Sequence, residues 1–152
     1  MSKIQESSEK NSGKSAGPSL QPDMGFHGSH LFGELYGVEF DLLNSESLLI
    51  DILSRGVQAC GATLCSLQSK KFDPQGVSVL ALLSESHASV HSFPEKGALF
   101  FDIFTCGLGL VPEKWLDVLC EELRPSWKNV RRIERGVDRH HPSDLKYLGG
   151  LS

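Results

Sequence analysis

The chain has 152 residues, enough for one domain with a modest core, and carries a formal net charge of −4. Its basic residues form no patch, which argues against a nucleic-acid partner, and its apolar runs are too short to span a membrane. No apolar leader follows Met1 and the four cysteines form no C-x-x-C pair, so a reduced, cytoplasmic protein without structural zinc is expected.

Residues 1–28 are rich in Ser, Lys, Glu, Gly and Pro and lack apolar periodicity, so a disordered extension is expected there. A folded domain is expected over 29–137 and a flexible tail over 138–152. The first strand is "HLFGELY", His30–Tyr36. Asn44-Ser45 offers an N-cap, and Leu48, Leu49, Ile52, Leu53 and Val57 form the stripe of an amphipathic helix that stops near Gly61. "ATLCSLQSKKF" (62–72) reads as a strand and "DPQG" as a turn. "VSVLALL" (77–83), "HASVHSF" (87–93) and "GALFFDIFTC" (97–106) read as three more strands, with "PEKG" as a hairpin loop before the last. Pro112 opens a second helix that buries Trp115, Leu116, Leu119 and Leu123 and stops at Pro125. "NVRRIER" (129–135) is the last strand. This order predicts an α+β fold, a mostly antiparallel sheet with helices packed on one face. The other face then needs cover, which favours a second copy of the chain.

The chemistry concentrates in "LSESHASVHSFPEKG", Leu83–Gly97. A regular "PEKG" hairpin sets Phe93 opposite Ala98, and the same register sets Glu85 opposite Cys106 and Ser86 opposite Thr105. A thiol is thereby expected beside the Glu85–Ser86 peptide bond. His91 lies five residues from Ser86, about 16 Å along a straight strand, and the odd spacing sends it to the opposite face. For the two to act together, the strand must bend near 84–88 or the histidine must come from a partner chain. Without such an arrangement, His87 and His91 read as partly exposed strand histidines. Cys60, Cys65 and Cys120 read as small buried residues.

Other chemistries fit less well. No G-x-S-x-G nucleophile elbow and no Walker A loop occurs, and "GLGL" is too short for a dinucleotide fingerprint. "VDRHHP" (137–142) has metal-ligand residue types but falls in the expected tail, so no metal is assigned.

Four blocks, "HLFGELYG", "GATLCSLQSKKFDPQGVS", "LSESHASVHSFPEKG" and "FFDIFTCG", resemble the prokaryotic S-adenosylmethionine decarboxylase proenzymes. The likeness runs from about His30 to Gly136. It implies a proenzyme that cuts itself between Glu85 and Ser86 and converts Ser86 into a covalent pyruvoyl cofactor. That group forms a Schiff base with the substrate's α-amine, and the product serves spermidine biosynthesis. The resemblance further implies that Ser78 and His91 assist the cut and that Cys106 donates a proton during decarboxylation. Phe72 would stack on the adenine of S-adenosylmethionine and Glu95 would hold its ribose. It implies a homodimer with sheets inside and helices outside, each chain giving half of an α/β/β/α sandwich. The chain departs from the family pattern at Ser29, at Lys70-Lys71 and at Phe93 and Lys96, where relatives carry Arg, His-Arg, Trp and Tyr. The changes at Phe93 and Lys96 lie near where substrate should sit and keep a decarboxylase of ornithine or arginine open. A catalytically silent regulatory homologue is a second alternative, against which intact Ser86, His91 and Cys106 argue.

Overall fold

The computed structural model describes residues 27–107 and 109–136. Of the expected extension over 1–28, residues 1–26 lie outside the described residues, while Gly28 already begins the first strand. The expected tail over 138–152 and "VDRHHP" also lie outside them.

Helix α1 (Phe40–Leu43) is a single turn that the sequence pattern does not announce. Helix α2 (Glu46–Ala59) starts where expected, because the Ser45 hydroxyl accepts the Leu48 N–H at 3.4 Å and satisfies a free amide of the first turn. Its buried face is Leu49, Ile52, Leu53, Gly56 and Val57. Gly56 belongs there for space: a Cβ would lie 2.5 Å from the Trp115 ring, which presses against α2 from helix α3 (Pro112–Leu123). Arg55 ties the two helices outside the core, reaching Asp51 at 2.8 Å and Glu122 at 2.9 Å. Helix α3 ends at Arg124, which takes a left-handed φ of 47° just before Pro125.

Six strands form one sheet: β1 (Gly28–Tyr36), β2 (Leu64–Lys71), β3 (Val77–Leu83), β4 (Ser86–Phe93), β5 (Ala98–Cys106) and β6 (Trp127–Arg135). Their order is β2-β3-β4-β5-β1-β6 and every neighbouring pair is antiparallel, so the expected α+β class holds. The "PEKG" loop is a 3-10 turn, Pro94–Lys96, closed by Gly97 at φ 58°, a left-handed value that favours glycine.

Alternation sorts the strand residues by face. Leu31 and Leu35 of β1, Val79 of β3, Val90 of β4 and Phe101 and Ile103 of β5 lie buried beneath α2 and α3, with the Trp115 and Phe101 rings 5.7 Å apart. Among the described residues, no helix covers the opposite face. It presents Phe100 of β5 and Leu80 and Leu82 of β3, all at least 43% exposed, among His30, His87, His91 and Asp102. The cysteines depart from expectation: Cys60 is buried, but Cys120 is half-buried and Cys65 is exposed. β2 is an edge strand whose residues are almost all exposed, so Cys65 has no core to enter.

Candidate active site

Strands β3 and β4 are joined by a two-residue turn, Ser84–Glu85, with Leu83 facing Ser86. The expected register is observed: Phe93 faces Ala98 and Ser86 faces Thr105. One step beyond the ladder, the Cys106 N–H donates to the Glu85 carbonyl at 3.0 Å. The carbonyl preceding Ser86 is thus already held by a backbone donor. Ser86 sits at φ 156°, a value a non-glycine residue rarely adopts. It is half-buried, in the same cross-strand row as Leu83 and Thr105.

Cys106 closes β5 and is half-buried. Its partner across β1 is Gly28, where a Cβ would lie 2.8 Å from the Cys106 sulfur. A bare glycine backbone at that position gives the thiol its room.

Ser78 and His91 are cross-strand partners on β3 and β4, and Ser78 Oγ lies 2.8 Å from His91 Nδ1. Both belong to the open face. β4 runs unbroken from Ser86 to Phe93, so no bend brings His91 to Ser86. The two remain on opposite faces, about 16 Å apart along the strand. Phe72, 48% exposed, follows β2, and its N–H donates to Gly76 O at 2.8 Å. Glu95 is exposed in the 3-10 turn. Phe72 and Glu95 therefore lie with the far end of the β3–β4 hairpin. Glu95 follows Phe93, which is about 23 Å along β4 from Ser86. The chain brings Glu85 together with Cys106 and Ser78 together with His91, and keeps these two pairs apart.

A polar cluster that sequence reasoning missed occupies the middle of the open face. Asp102 on β5 accepts from Ser89 Oγ at 2.6 Å and lies 3.4 Å from His30 Nε2 and 3.6 Å from His87 Nε2. Phe104 packs beside both imidazoles, and the Arg135 guanidinium lies 4.5 Å from the centre of its ring. Period-two alternation puts each residue on this face, but only the register of β1, β4 and β5 together makes them neighbours.

The family model for S-adenosylmethionine decarboxylase matches residues 29–136. The S-adenosylmethionine decarboxylase proenzyme of Brevibacillus brevis is 42% identical over 110 residues, which cover 72% of this chain and 83% of that protein. The proenzyme of the same name from Methanococcus maripaludis strain S2 is 41% identical over 110 residues, 72% of this chain and 90% of that one. The crystal structure of the adenosylmethionine decarboxylase from Aquifex aeolicus matches with a TM-score of 0.69 at 29% identity, covering 75% of this chain and 94% of that one.

Proposed function

The chain belongs to the S-adenosylmethionine decarboxylase family, and from that we propose that it is a self-cleaving proenzyme. Its mature form removes carbon dioxide from S-adenosylmethionine and so supplies the aminopropyl donor for spermidine synthesis. The observation that carries this reading is the bond at Glu85–Ser86. There a serine hydroxyl follows a carbonyl that the Cys106 amide already engages at 3.0 Å.

Self-cleavage uses only atoms of the chain and one water. Ser86 Oγ attacks the Glu85 carbonyl carbon, turning the amide into an ester and freeing the Ser86 nitrogen as an amine. Negative charge builds on the carbonyl oxygen, where the Cys106 N–H serves as an oxyanion donor. The shift from amide to ester runs uphill for an ordinary peptide, and relief of the unusual Ser86 backbone favours it. A base then takes the Ser86 α-proton, the Cβ–Oγ bond breaks, and Glu85 departs as a carboxylate. The dehydroalanine amine that remains takes up water and loses ammonia, leaving a pyruvoyl group at position 86.

The residues around position 86 fit such a group: Thr105 faces it, and Cys106, one step beyond and bonded to Glu85 O, has room for its sulfur beside Gly28. The pyruvoyl ketone supplies an electron sink for the carbon that loses carbon dioxide, chemistry that no ordinary side chain provides. The Cys106 thiol returns a proton to that carbon. Phe72 offers an exposed ring to the adenine, and the Glu95 carboxylate accepts from the ribose hydroxyls. The Ser78–His91 pair handles protons during cleavage.

These groups converge only between two copies. In one chain, His91, Phe72 and Glu95 are kept from Ser86 by the length of the straight β4 hairpin. A two-fold partner laid open face to open face, with its hairpin reversed, sets the far end of one hairpin beside the near end of the other. The exposed Phe100, Leu80 and Leu82 support burial of that face. Each site in this homodimer takes Cys106 and the Glu85–Ser86 bond opposite it from one chain, and Ser78, His91, Phe72 and Glu95 from the other. Alternation puts Cys106 on the open face with Phe100 and Phe104, and the Ser86 hydroxyl, at the strand end, turns toward that face.

Two measurements test the proposal. Intact mass should find fragments Met1–Glu85 and 86–152, the second 152 − 86 + 1 = 67 residues long and blocked at its first residue. Carbon dioxide release should be largest with S-adenosylmethionine when ornithine and arginine are run beside it. Uncut chain refutes the self-cleavage, and preference for a free amino acid refutes the substrate.

A further inference from the structure

The tip of a two-residue hairpin is ordinarily its freest part, yet the Ser84–Glu85 turn is fastened to the start of β2. The Ser84 N–H donates to Thr63 O at 3.0 Å, and the Thr63 N–H donates to Glu85 Oε2 at 3.0 Å. Cys65 Sγ lies 3.2 Å from Ser84 Oγ. The third contact exists because β2 bulges. Leu64 faces Leu83 and Ser66 faces Leu82, so Cys65 is the extra residue without a partner in the ladder. Such bulges re-aim side chains.

Glu85 is therefore held at two points. Its carbonyl is bonded from β5 through the Cys106 N–H, and its carboxylate from the residue just before β2 through the Thr63 N–H. A bond from a neutral amide to an ionised carboxylate is stronger than an ordinary amide–carbonyl bond. Two anchors on opposite sides of one residue fix the plane of the peptide that Ser86 Oγ attacks.

We propose that the Thr63–Cys65 bulge is a clamp that aims the scissile carbonyl, with the Glu85 carboxylate as a positioning residue for self-cleavage. The proposal rests on the self-cleavage reading above and gives the residue before the cut a task of its own. Attack on a misaimed carbonyl is slow: a displacement of about 1 Å at a reacting centre costs on the order of a hundredfold in rate.

The test follows conversion of freshly made full-length chain into its two fragments by intact mass, for wild type, Glu85→Ala, Glu85→Gln and Cys65→Val. The Ala variant loses the anchor and should cleave at least about tenfold more slowly. The Gln variant keeps an oxygen for the Thr63 N–H and should recover most of the rate. Hydroxylamine cuts an ester once it has formed. It should not speed the Ala variant, because the lost step precedes the ester. Cys65→Val, at an exposed position that leaves the core intact, removes the contact to Ser84 and should slow cleavage even where Glu85→Ala folds poorly. Wild-type cleavage with an unchanged rate in either Glu85→Ala or Cys65→Val overturns the clamp alone, as does a Gln variant no faster than Ala. A wild-type chain that never cuts removes the self-cleavage reading itself.

Discussion

Mixing two inactive chains tests where His91 does its work. Ser86 and His91 sit on opposite faces of β4, about 16 Å apart along the strand, whereas a proton-transfer partner has to come within about 3 Å. If His91 serves the Ser86 of a second chain, Ser86→Ala and His91→Ala chains rescue one another. Each variant made alone stays whole. Made together in equal amounts, half of a random two-fold pairing is mixed and each mixed pair holds one intact site, so about a quarter of the wild-type sites return. Only the His91→Ala chain still owns Ser86, so it alone should be cut. Two tags of different mass distinguish the chains by mass spectrometry after co-expression. A His91→Ala chain that stays whole beside its complement would falsify the shared site, and cleavage of that chain when made alone would remove His91 from the reaction.

Ser86→Ala should leave the chain uncut, while Cys106→Ala should still cut and then decarboxylate poorly, because the bond to Glu85 O comes from the Cys106 backbone rather than its thiol. Equal loss of cleavage in both, seen by intact mass, contradicts that division. Trp115→Ala in the uncut Ser86→Ala chain should lose about 3–5 kcal/mol in urea unfolding. Trp115→Phe should lose much less, because the buried indole N–H has no partner among the described residues and its removal uncovers no unsatisfied group. A Phe variant as unstable as Ala contradicts this. Burial raises the Cys60 thiol above its ordinary pKa, and burial also raises Cys120. The reactive thiolate of each therefore forms only at higher pH. Iodoacetamide at neutral pH should label the exposed Cys65 first and Cys60 last, and peptide mapping that finds Cys60 modified early refutes the order.

Local pattern made part of this molecule legible. The Ser45 cap, the stripe of α2, Pro112 and the period-two strands all act through neighbours in sequence. The short "PEKG" loop carried that legibility across strands, since a tight hairpin leaves one register, and it brought Glu85 to Cys106. What stayed hidden depends on longer range. Insertion of β1 between β5 and β6 has no local mark. The bulge at Cys65 lies on an edge strand with no alternation to break, so the exposed thiol read as a buried one. Helix α1 is one turn without a side-chain cap. The Asp102 cluster needs three strands in register before its members become neighbours.

Strand order has a consequence for the proposed cut. After cleavage between Glu85 and Ser86, one fragment would keep β1, α1, α2, β2 and β3, the other β4, β5, α3 and β6, with β1 of the first threaded between β5 and β6 of the second. Two nine-residue strands of one polypeptide thus grip a nine-residue strand of the other from both sides. Severed halves would stay interlaced without a covalent tie, and neither could leave while the weave is intact. Once unravelled, they would have to find each other again in solution, so recovery from denaturant should depend on concentration where the uncut chain's does not.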